Sequence, residues 1–372
     1  MDNYSTEENE ENEENFLLSS FALYTETPDK LTPTFDFNQA KNIVYLDRLA
    51  HLIIKSEGEL FYIDNNQKRN IKCKKDIILK YIKYLAECFW LIPEAFPIHE
   101  FNPYVETLLR NYIDIFKRIH INLDIHYPDE SAKKIVNGFN ELIERVRKTV
   151  ESSKFKADLR EHQKSITKNH NSLLAYIDNL FKRHGRLLVL RVDLTYGKDF
   201  DTPWLSKEET YQKYLGAKKD REHFFNNMRS NKLFDNMLGY AWKLEFASRK
   251  GWHYHMFFFF DGSKVREDVS TAKRIGEYWE KITGERGIYY NCNAHKDTYD
   301  YLGIGMINHD DTELMENLKH KAAPYLTKTD YYAKIHASGI GIGIGIGKTF
   351  SRGEMKVKVT NRGRPRKNAN TA

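Results

Sequence analysis

Residues 251–260 read GWHYHMFFFF, which places two histidines two positions apart, directly before a run of bulky apolar residues. Side chains alternate between the two faces of a β-strand, so His253 and His255 are expected to point to the same face. The apolar run would hold this strand inside a sheet. Two imidazoles at this spacing can bind one metal ion between them.

A carboxylate precedes this strand at hairpin distance. Glu245 lies in the strand-like segment WKLEF at 242–246, and the residues at 247–251 are mostly polar and end in glycine, as a turn does. Such a hairpin would bring Glu245 beside His253 and His255 and leave open positions on a bound metal, which catalysis needs. The alternative is that the histidines are ordinary strand-edge residues.

The composition is that of a globular protein with charged ends, since 41% of the 372 residues are hydrophobic and 30% are charged. This length allows more than one core, and two domains are expected. No apolar run reaches the roughly 18 residues that span a bilayer, and the acidic amino end does not resemble a secretory signal. Three scattered cysteines (Cys73, Cys88 and Cys292) argue against a disulfide framework, so we expect a reducing, cytoplasmic location.

The net charge of +6 is unevenly distributed along the chain. Residues 1–15 contain seven acidic side chains and no lysine or arginine, so removing these seven charges from the total leaves +13 on the remainder. Such a basic body suits a polyanion such as nucleic acid, although a lysine-rich solvated surface gives the same charge. The acidic end could compete with DNA for that surface or act as a solubilising leader.

Composition and periodicity divide the chain into four stretches. Residues 1–35 are acidic and poor in apolar side chains, and we expect them to be disordered. Residues 36–165 have the periodicity of amphipathic helices, with helices expected to begin near Asp76, Pro103 and Ser131, and are predicted to form a helical accessory domain. DNA binding and oligomerisation are both compatible with such a helical domain.

The third stretch, residues 166–350, mixes strands and helices in an order typical of an α+β domain. A basic helix at 154–184 leads into the apolar strand RLLVLRVDLTY at 186–196. A helix at 208–228, the hairpin, and further helices near 268–284 and 312–322 follow. We expect a central antiparallel sheet with flanking helices on one face.

Residues 324–334, PYLTKTDYYAK, contain a second candidate group. On a helix, Tyr325 and Lys328 are one turn apart and share a face. A tyrosine is a poor nucleophile at its ordinary pKa of about 10, but a metal that neutralises the attacked phosphate makes its attack feasible. The chain has 23 tyrosines, so packing within a helix is the alternative interpretation.

The fourth stretch, residues 351–372, is basic and contains Arg362-Gly363-Arg364-Pro365, which resembles the core of an AT-hook. A generic basic tail is the alternative, and both interpretations favour DNA. The glycine–isoleucine alternation before it does not make a P-loop, because Ile342 stands where that motif needs glycine.

The order of these motifs resembles that of the HUH endonucleases of rolling-circle replication. Their apolar strand centred on a threonine is matched by residues 194–196, their His-hydrophobic-His motif by residues 253–255, and their catalytic tyrosine by Tyr325 with Lys328. More narrowly, five segments over about residues 170–353 resemble the filamentous-phage (inovirus) replication-initiator family, also known through YagK/YfjJ-type prophage proteins. They are RVDL at 191–194, IGEYW at 275–279, YNCN at 290–293, GIGMI at 303–307 and YLTKTD at 325–330.

The resemblance implies a specific chemistry. A divalent metal, Mg²⁺ or Mn²⁺, held by His253, His255 and Glu245 would bind the scissile phosphate of single-stranded or supercoiled origin DNA. Tyr325 would attack that phosphate, giving a 5′-phosphotyrosine and a free 3′-hydroxyl for polymerase. Lys328 would steer the phosphate.

The resemblance also predicts partners. Thr195 and Arg191 are expected to contact DNA, joined by Arg362 and Arg364 of the tail, and host helicase and polymerase are expected partners. Tyr332 could be a second nucleophile or a packing residue. The sequence thus predicts a rolling-circle replication initiator of a phage or prophage element. The alternatives are a DNA-binding regulator without the chemistry, and a relaxase or transposase that uses it.

Overall fold

The computed structural model describes residues 23–24, 31–32, 35–64, 66, 70–117, 119–197, 206–247, 251–327, 329–335 and 347–355. Several predictions lie outside these residues: those for the acidic end at 1–15, for Lys328, for the glycine–isoleucine alternation at 339–346, and for Arg362 and Arg364. Within the stretch predicted to be disordered, two short strands pair antiparallel, β1 (Leu23–Tyr24) and β2 (Leu31–Thr32).

The amino-terminal part is built mainly of helices whose apolar faces meet in one core. The elements are α1 (Phe35–Ile54), β3 (Phe61–Ile63), β4 (Ile71–Cys73), α2 (Asp76–Cys88), α3 (Leu91–Ala95), β5 (His99–Phe101), α4 (Pro103–Phe116) and α5 (Asp129–Glu151). Asn102 caps α4 by accepting a hydrogen bond from the Val105 backbone N–H, and Pro103 occupies the first turn, where no N–H is needed. The helices predicted near Asp76, Pro103 and Ser131 are therefore confirmed.

A long helix connects this part to an antiparallel sheet. The helix is α6 (Ser153–Arg183), and the strands are β6 (Arg186–Tyr196), β7 (Met237–Ala247), β8 (Gly251–Asp261), β9 (Gly287–Asn291), β10 (Gly305–Asn308) and β12 (Phe350–Arg352). Among the described residues the strand order is β10-β6-β8-β7-β12, and β9 pairs with the carboxyl half of β6. Every pairing is antiparallel, which confirms the predicted mixed architecture around an antiparallel sheet.

Helices cover both faces of this sheet. One face packs through Phe258 on α7 (Lys207–Met228) and α8 (Asp268–Ile282). The other packs through Phe259 on α6 and on the segment that follows α9 (Thr312–Asn317). The prediction of helices on one face is therefore wrong. Residues 257–260 are apolar at every position because both faces of β8 are buried, and a strand buried on both sides does not need polar alternation.

The tyrosine segment is less regular than the helix predicted for it. A π-helical turn (Leu318–Ala322) leads into a 3-10 helix (Ala323–Leu326), and a second 3-10 turn (Thr329–Tyr331) follows. Pro324 has no N–H to continue an α-helical ladder, and its ring crowds the preceding turn. Tyr325 therefore sits on a short 3-10 helix that ends at Leu326, not on the α-helix predicted for it.

The segment after Tyr325 returns to the amino-terminal part of the chain. Strand β11 (Ala333–Ile335) pairs antiparallel with β5. The Asn102 backbone N–H donates to the carbonyl of Tyr332 at 3.0 Å, and His162 Nε2 lies 2.8 Å from the carbonyl oxygen of Tyr331.

Two further 3-10 turns lie at Lys232–Phe234 and Cys292–Thr298. None of the described helices is both long and apolar enough to cross a membrane.

Alanine variants of two neighbouring residues test whether both faces of the sheet are packed. Phe257 and Phe258 are fully buried and belong to the cores on opposite faces. Each substitution is expected to lower the free energy of unfolding by about 3–5 kcal/mol, because it leaves a cavity in a close-packed core. Ile119→Ala, at a side chain that is 61% exposed, should change it by less than about 0.5 kcal/mol. Chemical denaturation measures all three, and a phenylalanine variant as stable as Ile119→Ala would contradict the packing of that face.

Candidate functional site

The register between β7 and β8 brings the three predicted metal ligands together. Glu245 is the cross-strand partner of His253, and His255 stands two residues further along the same face. Glu245 Oε2 lies 3.6 Å from His253 Nε2 and 3.3 Å from His255 Nε2. Gly251 begins β8 with a φ of 69°, a conformation that suits glycine at the end of a turn. The hairpin thus has the geometry predicted from the sequence.

This group is deeply buried, and its donor atoms fit a cation. Glu245 is 5% exposed, and both histidines are fully buried. Apart from their contacts within this group, Glu245 Oε2 and His255 Nε2 are buried without a hydrogen-bond partner among the described residues, which is costly for polar atoms. One ligand atom from each of the three residues lies within 4.8 Å of the others, so the group could hold a metal ion.

The charges within the group favour cation binding. Burial alone would raise the pKa of Glu245, but the adjacent His255 and His253 more than offset it and hold that pKa well below its ordinary value. Burial alone would lower the pKa of His255, but Asp193 and Glu245 raise it above its ordinary value. The carboxylate is therefore ionised, and the same negative charges that favour protonation of His255 would attract a metal cation.

Each histidine is oriented by a partner on its other ring nitrogen. His253 Nδ1 lies 3.0 Å from the carbonyl oxygen of Gly251, and His255 Nδ1 lies 2.8 Å from Asp193 Oδ1. Asp193 is the cross-strand partner of His255 on β6. Such partners hold the imidazoles of metal sites with Nε2 directed inward. Asp193 was not predicted as a site residue, although a carboxylate within an apolar strand, in phase with Thr195, is a signal that could have identified it.

The tyrosine segment is attached to β7 by two polar contacts. The Thr329 hydroxyl donates to Glu245 Oε1 at 2.7 Å, which fixes one carboxylate oxygen and leaves Oε2 directed at the histidines. Asp330 pairs with the ammonium group of Lys243, which is 1% exposed and shares the face of the metal ligands. A buried charge needs such a partner, so Lys243 and Asp330 depend on each other. Thr329 and Asp330 belong to the YLTKTD segment at 325–330, but no role was predicted for either residue.

Tyr325 is connected to the metal group through a chain of contacts. Its ring lies 4.1 Å from the guanidinium carbon of Arg191, a cation–π arrangement. Arg191 Nη2 is 3.6 Å from Asp193 Oδ2, and Asp193 in turn contacts His255. The 3-10 helix that carries Tyr325 packs against β7 and β8. Arg191, which was expected to contact DNA, is only 6% exposed and is engaged with Tyr325 in this structure.

Two other predicted residues have different surroundings. Thr195 lies on β6 two residues beyond Asp193, and its carbonyl accepts a hydrogen bond from Trp279 Nε1 at 2.9 Å. Its hydroxyl is buried and has no hydrogen-bond partner among the described residues. Tyr332 is 5% exposed and belongs to the core of the amino-terminal part, which favours the packing interpretation of this tyrosine.

Comparison with known proteins identifies a family. Residues 148–340 match the family model described as the YagK/YfjJ C-terminal domain. The match begins near the end of α5 and includes the metal group, Asp193, Arg191 and Tyr325, whereas β12 lies beyond it. The searches of curated proteins and of solved structures gave no match.

Thr329→Val tests whether the threonine hydroxyl orients Glu245 for metal binding. Valine keeps the shape of the side chain but cannot donate to Oε1, so the affinity for Mn²⁺ should fall about 10- to 100-fold, as for other outer partners of metal ligands. Thr329→Ser keeps the donor and should bind Mn²⁺ nearly as wild type does. Isothermal titration calorimetry of the purified full chain measures both affinities, and equal affinities for the valine and serine variants would contradict this role.

Proposed function

The chain belongs to the YagK/YfjJ C-terminal domain family, and we propose that it is an HUH-type endonuclease related to inovirus replication initiators. In this proposal it nicks and rejoins single-stranded origin DNA during rolling-circle replication of a phage or prophage element. One observation carries the proposal. The buried Glu245, His253 and His255 group and Tyr325 lie against the same face of one sheet, joined through contacts of Asp193 and Arg191.

We propose that the metal is Mg²⁺ or Mn²⁺. When bound, it would neutralise negative charge on the scissile phosphate and so make the phosphorus open to attack. Two imidazole nitrogens and one carboxylate oxygen favour Mn²⁺ of the two, because Mg²⁺ prefers oxygen ligands more strongly. Asp193 and Thr329 support this group by holding His255 and Glu245 in the orientation that directs their free atoms inward.

Tyr325 acts as the nucleophile in this proposal. Its phenol oxygen forms a bond to phosphorus while the bond from phosphorus to the 3′-oxygen breaks. The phenol proton leaves to solvent, and the departing 3′-oxygen takes up a proton to become a free hydroxyl. The products are a 5′-phosphotyrosine and a 3′-end that polymerase can extend. The reverse reaction, attack of a 3′-hydroxyl on the phosphotyrosine, rejoins DNA at the same site.

Arg191 has a positioning role at the tyrosine. Its guanidinium stacks on the ring of Tyr325 and pairs with Asp193, so the nucleophile is held by the same network that orients His255. Holding a nucleophile and its activating group in one geometry reduces the entropy lost on reaching the transition state. A change at Arg191 should therefore affect the reaction without changing the metal ligands themselves.

The rest of the chain fits a nucleic-acid partner. Apart from its first 15 residues the chain carries a net charge of +13, which follows from the total of +6 and the seven acidic residues of that end. We propose that residues 166–350 form the nicking domain, that residues 36–165 form an accessory domain, and that Thr195, Lys328, Arg362 and Arg364 contact DNA. Host helicase and polymerase would act on the nicked origin in the cytoplasm.

Replacement of the nucleophile gives the direct test of this proposal. Wild type, Tyr325→Phe and Tyr332→Phe are incubated with Mn²⁺ and single-stranded oligonucleotides that tile the DNA flanking the gene. Wild type and Tyr332→Phe should form a covalent protein–DNA adduct that survives denaturing electrophoresis. Tyr325→Phe, which lacks the attacking oxygen, should form none, and EDTA should abolish the adduct of wild type.

Three other outcomes would each contradict one part of the proposal. An adduct that forms with Tyr325→Phe as readily as with wild type would show that another residue attacks. An adduct that forms in EDTA would rule out the metal. DNA binding by gel shift with no adduct on any oligonucleotide would favour a DNA-binding regulator that keeps the fold without the chemistry.

A further inference from the structure

A cavity opens beside Tyr325 on the side where Arg191 stacks. Its volume is about 180 Å³, and its lining includes Arg191, Tyr299, Tyr301, Lys321 and Tyr325. Its walls come from the middle of β6, from the loop between β9 and β10, and from the π-helical turn before the tyrosine. The cavity is separate from the metal ligands Glu245, His253 and His255. Two of its lining residues, Arg191 and Tyr325, also belong to the contacts that join Tyr325 to those ligands.

The lining combines aromatic rings with cations. Tyr301 is 45% exposed and lines the cavity, and Lys321 Nζ lies 4.2 Å from the centre of its ring. Tyr299 is largely buried, and burial is the main cause of its raised pKa, so its phenol stays neutral and keeps its proton. Aromatic side chains with nearby lysine or arginine are typical of surfaces that stack the bases of single-stranded nucleic acids.

A carboxylate in the cavity lining favours a nucleobase over a phosphate as the ligand. Asp300 lies between the two tyrosines and also lines the cavity. A carboxylate repels a phosphate group but can accept a hydrogen bond from a base amino or imino group. Lys321 can instead attract the sugar–phosphate chain beside the base. Arg191 also lines the cavity but is engaged with Tyr325 and Asp193. The chemistry of the lining therefore suits a nucleobase with its phosphates at the rim.

A glycine allows the loop that forms one cavity wall to approach the backbone of residues 317 and 318 closely. A Cβ at Gly303 would lie 2.8 Å from the backbone carbonyl group of Asn317 and from the Leu318 backbone nitrogen. No other residue type fits at this distance unless the backbone moves. The loop at 299–304 therefore packs directly against the start of the π-helical turn, whose residues Lys321 and Ala322 also line the cavity.

We propose that this cavity receives one unpaired nucleobase adjacent to the scissile phosphate. The base stacks on Tyr301, and Lys321 attracts a flanking phosphate. This inference rests on the proposed function, since it assigns a position for the nucleotide next to the phosphate that Tyr325 attacks. It gives the site a means of selecting single-stranded DNA, because a base inside a duplex cannot enter the cavity without unpairing.

The first test measures binding without chemistry. Tyr301→Ala removes the stacking surface, and Tyr62→Ala is its matched control, because Tyr62 is also 45% exposed but lies on β3 in the amino-terminal part. The probe is a short fluorescein-labelled single-stranded oligonucleotide in EDTA. Loss of one stacked base should weaken binding about tenfold in Tyr301→Ala, whereas Tyr301→Phe and Tyr62→Ala should bind as wild type does. Equal affinity of Tyr301→Ala and Tyr62→Ala would overturn the proposal.

The second test locates the base relative to the scissile phosphate. In the adduct assay, each nucleotide of a cleaved oligonucleotide is replaced in turn by an abasic site. Wild type should lose activity at one position next to the scissile phosphate, and Tyr301→Ala should be insensitive to the abasic change at that position. The cavity proposal fails if wild type has no such position, or if Tyr301→Ala keeps the same sensitivity.

The two tests separate this proposal from the proposed function. If wild type forms adducts but Tyr301→Ala binds and cleaves as wild type does, the cavity proposal fails and the nicking function stands. If Tyr301→Ala weakens binding while wild type forms no adduct with any DNA, the cavity proposal stands and the nicking function fails.

Discussion

The cross-strand pairing of Glu245 with His253 is the constraint on which the site depends. In an antiparallel pair, a shift of one residue moves every side chain of a strand to the opposite face. Such a shift would turn Glu245 toward α7 and α8 and leave both histidines without their carboxylate. The polar contacts on this face oppose it, because the shift would also separate His255 from Asp193 and buried Lys243 from Asp330.

The buried charged side chains on one face of the sheet need ionic or hydrogen-bonding partners. Some of these partners come from the tyrosine segment and so connect it to the sheet. Lys243 is opposite His255 in the register and would leave an unpaired buried cation beside the metal group if Asp330 were absent. Thr329, the adjacent residue, satisfies one oxygen of Glu245. The contacts that stabilise the buried charges therefore also place the segment that carries Tyr325, so assembly of the metal group and position of the nucleophile are linked.

The metal hairpin could be predicted from the sequence because its determinants are local. Strand alternation places His253 and His255 on one face, and the short turn limits where Glu245 can lie. Strand β6 and the helices that begin near Asp76 and Pro103 were predictable for the same reason, since their periodicity lies within the segments themselves. The helix at Pro103 also has its cap, Asn102, directly before it.

The remaining features depend on contacts between distant segments. Helices on the second face of the sheet were missed because a strand apolar at every position does not reveal how many layers bury it. Asp193 and Thr329 acquire their roles only when β6 and the tyrosine segment meet the hairpin. Arg191 was expected to contact DNA, whereas folding stacks it on Tyr325. Tyr325 lies on a 3-10 helix because the preceding Pro324 cannot continue an α-helix.

The central claim is that Glu245, His253 and His255 form a metal centre, and anomalous diffraction tests it most directly. Crystals of the full chain are grown with MnCl₂, and data are collected on both sides of the manganese absorption edge. The account predicts one strong anomalous peak between Glu245 Oε2 and the Nε2 atoms of the two histidines. Manganese peaks elsewhere on the protein, with none among these three side chains, would contradict it.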